Sequence, residues 1–417
     1  MKIAVIGAGI IGITTAFELA RDGHEVTVFE RRLAAAEESS FANAGVIAPG
    51  YISPWASPGL SLKIARHLFS KHAPVRIGLP LSGSDMAWMW KSWRACNMDT
   101  YVRNRRHLQR LAFYSRDLLH QLSDELELEY DHSAGYLVLM RSERDHAMLQ
   151  PSLKVLRDAA VAFNELSPED ARKIELALNP DTAFHSAVHL PTDEVGNCRQ
   201  FALLLKNIAL SKGVNFEFST LVEKIDPASG MVLSIAGQAT PRRFDAAVVC
   251  AGVDSVRLLR PLGLKIPLAA VHGYSVSASL REPLNAPRSA VMDERYKVVI
   301  SRLGHRVRVA GTAEIGGQPA KQRNSALQTL YKVLLDWFPG AANLSNGVQI
   351  WKGTRAMLPD GPPLLGASGI EGLWLNLGHG SSGWALSCGS ARAVADLIGQ
   401  RKPDVDLEGF GVARLQS

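Results

Sequence analysis

The stretch that decides the fold is Lys2–Glu30, KIAVIGAGIIGITTAFELARDGHEVTVFE. An apolar run from Ile3 to Ile6 leads into the glycine-rich loop GAGIIG, and a helical pattern follows to about Arg21. This order predicts a strand, a phosphate-binding loop and a helix whose N-terminus offers free N–H groups and a partial positive charge. Gly7 permits the tight turn, Gly9 lets the backbone approach a pyrophosphate, and Gly12 allows the helix to pack closely on the strand.

A second predicted strand, Glu25 to Phe29, ends in Glu30, which lies eighteen residues after Gly12. A carboxylate at this offset can accept hydrogen bonds from the ribose hydroxyls of an adenosine. The alternative, a glycine-rich turn that only packs the helix on the strand, explains neither Gly9 nor Glu30. Arg31 and Arg32 could suggest a 2′-phosphate and hence NADP, but Glu30 would repel that phosphate. FAD or NAD is therefore the expected cofactor.

A second glycine cluster near the C-terminus favours FAD over NAD. A strand predicted over Leu373 to Leu377 leads into the loop GHGSSG, and a helix is predicted over Trp384 to Gly399. A second helix N-terminus with free donors suits the negative charge that reduced flavin carries near N1 and C2=O. A nicotinamide enzyme has no comparable need for these donors. The alternative interpretation is that this cluster is only a glycine-rich turn in a Rossmann core. A further strand, Ala246 to Cys250, runs into small residues that allow close approach to the nucleotide.

Composition excludes several classes of protein. The chain has 417 residues, 47% of them hydrophobic and 21% charged, which excludes a mini-protein and wholesale disorder. The four cysteines form no C-x-x-C pair, so neither a disulfide framework nor a metal site is expected, and a reducing cytoplasmic setting fits best. Glycines interrupt the N-terminal apolar run, which argues against a signal peptide. Since no stretch could span a bilayer, any membrane contact is expected to be peripheral.

Segments spread over nearly the whole chain carry a family resemblance. Besides GAGIIG with Glu30, they are ESSFANAGVIAPGYISPWASPG, DMAWMWKSWRAC, LPTDEVGNCRQF, HGYSV, MDERYKVVISR, RVRVAGTAEI, GTRAMLPDGPPLLG and LNLGHGSSGW. With these segments the sequence resembles the D-amino-acid oxidase and dehydrogenase superfamily, flavoproteins of the glutathione-reductase-like FAD fold. The APGYISPWASPG and MDERYK segments resemble the bacterial dehydrogenase branch of this superfamily, and within that branch they resemble its small subunit.

The resemblance implies an α/β fold with two domains. A Rossmann-type FAD-binding domain would be discontinuous, over residues 1–54, 190–265 and 345–417. An α+β substrate domain with an antiparallel sheet would take residues 55–189 and 266–344. Helical periodicity over 101–128 and 143–163, and strand patterns over 271–280, 297–301 and 306–310, are assigned to this second domain.

The resemblance also implies roles for individual residues. Arg355 matches an arginine that clamps the substrate carboxylate, Tyr274 matches a tyrosine at the substrate pocket, and Tyr51 lies in a loop that covers the active site in relatives. FAD would be noncovalent, because no cysteine lies near the Arg355 motif. Ser381 stands where some oxidase relatives have a second arginine. The expected cofactor-binding residues are Gly7, Gly9, Ile10, Ile11, Gly12, Glu30, Arg31, Ser39, Ser40, Ala42, Asn43, Gly45, Val46, Val222, Ala251, Gly252, Gly378, His379, Gly380, Ser381, Ser382 and Gly383.

Less specific interpretations of these residues stay open. Arg355 could pair with Asp360 in the following turn, Tyr274 could be a core tyrosine, and Tyr51 could be packed on the surface. His272 and His379 could be catalytic, although structural positions are favoured for both.

The implied reaction is oxidative deamination of a small D-amino acid to a 2-oxo acid and ammonia, with electrons passed to a quinone or another non-oxygen acceptor. A D-proline or D-hydroxyproline dehydrogenase, or an oxygen-using oxidase, is the alternative.

A tryptophan-rich segment raises the question of a membrane surface. Trp88, Trp90 and Trp93 fall beside Lys91 and Arg94, and further arginines follow at helical spacing. This pattern could form an amphipathic patch for the inner face of an anionic cytoplasmic membrane and its quinone pool. Aromatic core packing beside a solvated basic helix is the favoured alternative. Nucleic-acid binding is not expected, because the net charge of +6 is dispersed and no recognition motif accompanies it.

Overall fold

The computed structural model describes residues 1–59, 72–228, 230–318 and 321–415. The helices in these ranges are α1 (Ile10–Arg21), α2 (Gly83–Ala95), α3 (Met98–Glu125), α4 (Glu143–Asp158), α5 (Pro168–Ile174), α6 (Cys198–Ser211), α7 (Ser255–Leu259), α8 (Asn324–Trp337) and α9 (Gly383–Ile398). The strands are β1 (Lys2–Ile6), β2 (Glu25–Phe29), β3 (Val46–Ile47), β4 (Val75–Gly78), β5 (His132–Met140), β6 (Asn164–Leu166), β7 (Ser186–Gly196), β8 (Asn215–Glu217), β9 (Val222–Asp226), β10 (Met231–Ile235), β11 (Arg242–Phe244), β12 (Ala246–Val249), β13 (Ala269–Ser279), β14 (Ala290–Asp293), β15 (Val298–Leu303), β16 (Arg306–Gly316), β17 (Gln349–Met357), β18 (Leu364–Ala367) and β19 (Leu373–Leu377).

A six-stranded sheet forms around the N-terminal strand, in the order β18-β19-β12-β1-β2-β8. Its pairings are parallel except for β18, which runs antiparallel to β19. Alternate side chains of β1 point to opposite faces, as the two-residue repeat of a strand requires. Ile3 and Val5 pack with α1, α3, α6 and α9, whereas Ala4 and Ile6 pack with the three-stranded sheet β9–β11. Both faces are covered, which explains the uninterrupted apolar sequence.

A ten-stranded sheet lies beside this unit, with the main order β17-β13-β16-β15-β14-β5-β7-β3. It is predominantly antiparallel, as expected, but β14 pairs with β5 and β16 with β4 in parallel. Helix α8 covers one face with Leu330, Val333 and Trp337, which share a core with Tyr274 and Val309. Both long helices are present, although α4 ends at Asp158 and not near residue 163.

The domain boundaries stay a prediction. Strand β17 comes from the segment 345–417 that the sequence assigns to the FAD-binding unit, yet it pairs with β13 in the ten-stranded sheet. The chain therefore passes between the two sheets several times, and the carboxyl ends of β1, β2, β12 and β19 face the region where the sheets meet.

Candidate active site

One cavity of about 640 Å³ runs from the carboxyl ends of the parallel strands to the ten-stranded sheet. Ligands of open α/β sheets bind at this edge, because the loops that follow the strands leave a crevice there. The cavity is bordered by every predicted site residue except Gly12 and Gly45. The fold thus brings together residues that are up to 376 positions apart, between Gly7 and Gly383.

The GAGIIG loop is shaped to receive a phosphate. Gly9 is the N-cap of α1, and a glycine has no side chain with which to cap the helix. A Cβ added to Gly12 would lie 1.8 Å from the Gly7 carbonyl oxygen, so only glycine lets α1 pack on this turn. A Cβ at Gly9 would meet only Ser40 Oγ, at 3.5 Å, because that side of Gly9 is open to the cavity. The first N–H of α1, at Ile10, donates to Ser40 Oγ at 3.0 Å, so the N–H groups that follow it in the first turn are the ones available to an anion.

Glu30 borders the cavity at the end of β2. Its carboxylate accepts hydrogen bonds from Ala8 N and Arg32 N, both at 2.8 Å, so it is fixed on the phosphate loop. Arg31 pairs with Glu38 and Asp254, and these acids neutralise its charge. An arginine engaged in this way is a poor partner for a 2′-phosphate, and the site favours a ribose with free hydroxyls.

A second uncapped helix begins at the opposite side of the cavity. After β19, a single 3₁₀ turn, Gly380–Ser382, leads into α9, which starts at Gly383 with no side-chain cap. His379 Nε2 and Ser390 Oγ form a hydrogen bond of 3.2 Å. Burial lowers the pKa of His379 to about 3, so this ring is neutral. The partial positive charge on this wall of the cavity is thus supplied by the free N–H groups at the N-terminus of α9.

The segment between these walls has small side chains. Ser39, Ser40, Ala42, Asn43 and Val46 border the cavity. Gly45 does not: it adopts a φ of +77°, and a Cβ there would lie 2.9 Å from Gly196 O, so its role is in the backbone turn.

FAD fits two helix N-termini whose N-cap residues leave N–H donors free, a fixed carboxylate at the ribose position and an elongated cavity. Val222, Ala251 and Gly252 border the cavity where the adenosine would lie, and the GHGSSG loop borders it where the flavin would lie.

Arg355 projects from β17 into the cavity. Its Nη1 donates to Thr312 O at 3.0 Å, and no carboxylate lies within 4.0 Å of it among the described residues. Although the guanidinium borders the cavity, burial among protein atoms lowers the pKa of Arg355 to about 10. Asp360 instead pairs with Arg414, so the alternative that it holds Arg355 is wrong. Arg355 is therefore a cation in need of an anionic ligand.

Gly273 on the neighbouring strand makes room for Arg355. A Cβ at Gly273 would lie 2.5 Å from Arg355 Nη2, so the guanidinium lies against the bare backbone of β13.

Tyr274 is buried, as the core interpretation predicts, yet it also borders the cavity. Its hydroxyl donates to Glu314 Oε2 at 2.6 Å, and Glu314 accepts a further hydrogen bond from Arg323 Nε at 2.5 Å. Burial alone would raise the pKa of Glu314, but Tyr274, Arg323 and Lys352 lower it, so it is a carboxylate. Burial and this carboxylate raise the pKa of Tyr274. The hydroxyl hydrogen of Tyr274 is thus engaged in the hydrogen bond to Glu314, and the hydroxyl oxygen remains able to accept a hydrogen bond.

Tyr51 borders the cavity from a loop held at its backbone. Asp193 accepts hydrogen bonds from Gly50 N at 2.9 Å and Tyr51 N at 3.1 Å. The Tyr51 hydroxyl donates to Glu294, which also pairs with Lys297. Burial, with Glu294 next in effect, raises the pKa of Tyr51, so the hydroxyl stays protonated.

Sequence reasoning missed the charged partners Glu294, Lys297 and Glu314, although they lie in quoted segments. A signal was present for Glu314, because an acid within the apolar strand RVRVAGTAEI needs a buried partner. His272 does not border the cavity, and its Nδ1 is hydrogen-bonded to Thr354 Oγ1 at 3.0 Å.

The tryptophan-rich helix α2 divides its aromatic residues between core and surface. Trp88 is buried and donates from Nε1 to Met357 O at 2.9 Å, as the core interpretation predicts. Trp90 and Trp93 are 54% and 61% exposed. Core packing therefore explains Trp88 alone. In the part of the chain that the structure describes, no helix is long and apolar enough to cross a membrane.

Comparison with known proteins agrees with this geometry. The family of FAD dependent oxidoreductases, DAO, matches residues 2–397. The chain is 40% identical over 416 residues to a D-amino acid dehydrogenase of Bradyrhizobium diazoefficiens, with 99% of each protein covered. It is also 40% identical over 416 residues to one of Cereibacter sphaeroides, covering 99% of this chain and 95% of that protein. Glycine oxidase from Geobacillus kaustophilus shares the fold, with a TM-score of 0.78 and 23% identity over 99% of this chain and 98% of that one. The chain thus belongs to the DAO family of FAD-dependent oxidoreductases.

Proposed function

We propose that this protein is a D-amino-acid dehydrogenase, which converts a D-amino acid to a 2-oxo acid and ammonia and passes the electrons to a quinone. The observation that carries the proposal is Arg355, a half-buried cation with no carboxylate partner among the described residues, placed at the cavity that fits FAD. The full-length identity of 40% to proteins named D-amino acid dehydrogenase supports the choice of substrate.

Arg355 would bind the substrate carboxylate through two parallel N–H donors. A bidentate contact fixes the orientation of the amino acid, and with it the face of Cα that meets the cofactor. When bound, FAD supplies the hydride acceptor at its N5 atom. A guanidinium that lies on Gly273 and donates to Thr312 O has little freedom to turn, so it holds the carboxylate in one position.

Tyr274 would act on the amino group. Because its hydrogen is donated to Glu314, the Tyr274 oxygen can accept a hydrogen bond from the substrate nitrogen. A deprotonated amine has a lone pair that drives the departure of hydride, and no strong enzymatic base is then required. The imine product hydrolyses to the 2-oxo acid and ammonia.

Tyr51 would close the substrate side of the cavity. Its backbone is held by Asp193 and its hydroxyl by Glu294, so the ring has a defined position at the cavity wall. Such a wall excludes water from the reacting centre.

Peripheral contact with the inner face of the cytoplasmic membrane would give access to quinone. Met86, Trp90 and Trp93 follow each other at helical spacing on α2, and all three are exposed. Lys91 and Arg94 lie beside them, with Arg94 over the Trp90 ring at 5.0 Å. Exposed aromatic residues with adjacent cations suit the surface of an anionic bilayer.

The reaction is tested by its products. Purified enzyme with D-alanine and ubiquinone-1 under anaerobic conditions should form pyruvate, ammonia and quinol in equal amounts. Formation of hydrogen peroxide in air at the rate of quinone reduction would favour an oxidase instead. The membrane contact is tested by sedimentation with anionic vesicles. Trp90→Ser with Trp93→Ser should lower binding, whereas Leu284→Ser, at a still more exposed apolar residue elsewhere, should not.

A further inference from the structure

A second arginine, Arg105, lies at the same cavity. It lies on α3, is 1% exposed and borders the cavity. Nη1 donates to Tyr101 Oη at 2.9 Å, Nη2 reaches Gly50 O at 3.5 Å, and Nε has no hydrogen-bond partner among the described residues. No carboxylate lies within 4.0 Å of Arg105 in the described residues. Of the five N–H donors of a guanidinium, most are therefore unused, which is costly away from water unless a ligand accepts them.

The part of the cavity next to Arg105 is lined mainly by apolar and aromatic side chains. We call this part of the cavity its outer end. It is formed by Met98, Tyr101 and Arg105 of α3, by Met148, Leu149, Pro151 and Ser152 of α4, and by Tyr136 and Met292. Met98 and Met148 are 47% and 42% exposed, so they stand at the rim. The polar atoms cluster on one side, where Tyr101 Oη lies 3.1 Å from Ser152 Oγ.

The nearby acids do not neutralise Arg105. Glu294 is engaged by the Tyr51 hydroxyl and by Lys297. Asp193 accepts two backbone hydrogen bonds, and burial raises the pKa of Asp193 to about 7, which weakens its charge. Neither acid pairs with Arg105, so its positive charge is left for a ligand.

We propose that the outer end is the binding site of the quinone, with Arg105 donating hydrogen bonds to a quinone carbonyl oxygen. The proposal rests on the quinone acceptor of the proposed function. A quinone is a flat apolar ring whose polar atoms are carbonyl oxygens, and these need donors only. Methionine side chains adapt to such a ring, and the aromatic side chain of Tyr136 borders the same part of the cavity.

The charge of Arg105 also suits the reaction. The quinone takes two electrons and two protons from the reduced flavin, so that both carbonyl groups become hydroxyl groups and the flavin returns to its oxidised form. Negative charge builds on the quinone oxygens during this change, and a buried cation stabilises it. The substrate ammonium group, by contrast, would be repelled by Arg105.

The rim points to the source of the quinone. Met98 follows the end of α2 by three residues, and α2 carries the exposed Trp90 and Trp93. A quinone dissolved in lipid would therefore enter beside the surface that is proposed to contact the membrane.

Arg105→Met tests the site, and Gln109→Met is its matched control. Gln109 lies one turn further along α3 and donates from Nε2 to the same Gly50 O at 3.3 Å, but it does not border the cavity. Binding of ubiquinone-1 to the oxidised holoenzyme is measured by ultrafiltration, without turnover. Flavin reduction by D-alanine and reoxidation by ubiquinone-1 are followed separately by anaerobic stopped flow.

In Arg105→Met, quinone affinity and reoxidation rate should each fall by about tenfold or more, while reduction by D-alanine stays within about twofold of wild type. Gln109→Met should match wild type in all three measurements. Arg105→Lys, which keeps the positive charge, should restore part of the reoxidation rate.

Three results would overturn the assignment. Wild-type quinone affinity in Arg105→Met would exclude the contact, and equal losses in both variants would mean that Arg105 only supports the Gly50 loop. A higher KM for D-glutamate in Arg105→Met, with quinone binding unchanged, would make the outer end a subsite for acidic side chains. Failure of D-amino acids to reduce wild-type flavin would instead refute the proposed function, because quinone binding is measured without them.

Discussion

Arg355→Met should abolish efficient substrate oxidation without destabilising the protein. Methionine has a similar length but no charge. Lowering the pKa of Arg355 to about 10, from an ordinary value above 12, corresponds to up to about 3 kcal/mol of desolvation. The lost hydrogen bond to Thr312 O costs about 1 kcal/mol. The free energy of unfolding of the FAD-free protein should therefore rise by up to about 2 kcal/mol.

Arg355→Met should lower kcat/KM, even though it should raise the free energy of unfolding. Removing one partner of a buried charge pair costs about 3–5 kcal/mol. Since about 1.4 kcal/mol is a factor of ten, kcat/KM for D-alanine should fall by roughly 10²- to 10⁴-fold. Urea denaturation gives the stability of Arg355→Met, anaerobic stopped flow gives its flavin reduction, and the flavin absorbance shows that FAD is retained.

Arg392→Met provides the contrast. Arg392 on α9 pairs with Glu18, Asp22 and Asp396, and it does not border the cavity. Its loss leaves the buried Glu18 without this partner, so the free energy of unfolding should fall by about 3–5 kcal/mol with flavin reduction unchanged. If Arg355→Met instead loses stability as Arg392→Met does, or reduces flavin at the wild-type rate, Arg355 is a structural arginine.

Gly9→Ala should leave the FAD-free fold intact, because the added Cβ meets only Ser40 Oγ at 3.5 Å, yet raise the Kd for FAD by about tenfold in a fluorescence titration; an unchanged Kd would contradict the phosphate role. Glu314→Gln should lower kcat/KM about tenfold at constant FAD affinity, since the Tyr274 hydrogen is no longer held by an anion. Burial raises the pKa of Asp193 to about 7, above its unfolded value near 4, so its contribution to stability is complete below about pH 4 and is lost as pH rises through 7. Asp193→Asn should remove up to about 1.4 kcal/mol per pH unit from that slope in urea denaturation; an identical slope would contradict the assignment. Acid precipitation should release all FAD into the supernatant, whereas flavin in the pellet would indicate a covalent bond.

Much of the cofactor-binding half could be predicted from the sequence because its signals are local. A glycine such as Gly12 is required by contacts within one turn, and the strand that precedes it is apolar on both faces. The predicted helix boundary at Trp384 differs by one residue from the observed start at Gly383, since either residue can begin an uncapped helix.

The substrate side was harder to predict, because its residues acquire their roles from distant partners. Tyr274 becomes an acceptor only through Glu314, forty positions away, and Arg105 reaches the cavity only because α3 packs beside the Gly50 loop. The three tryptophans of α2 cannot be told apart by residue type or by their neighbours in the sequence. Only the orientation of the helix separates the buried Trp88 from the exposed Trp90 and Trp93. Side-chain burial on one helix face depends on what packs against it, which the segment itself does not encode.

The most direct test of the account is anaerobic mixing of the purified FAD-bound protein with D-alanine and, separately, with L-alanine, followed at the flavin absorbance band near 450 nm. We expect D-alanine to bleach the band and L-alanine to leave it unchanged. Equal bleaching by both enantiomers, or none by a full panel of D-amino acids, would contradict the proposed function.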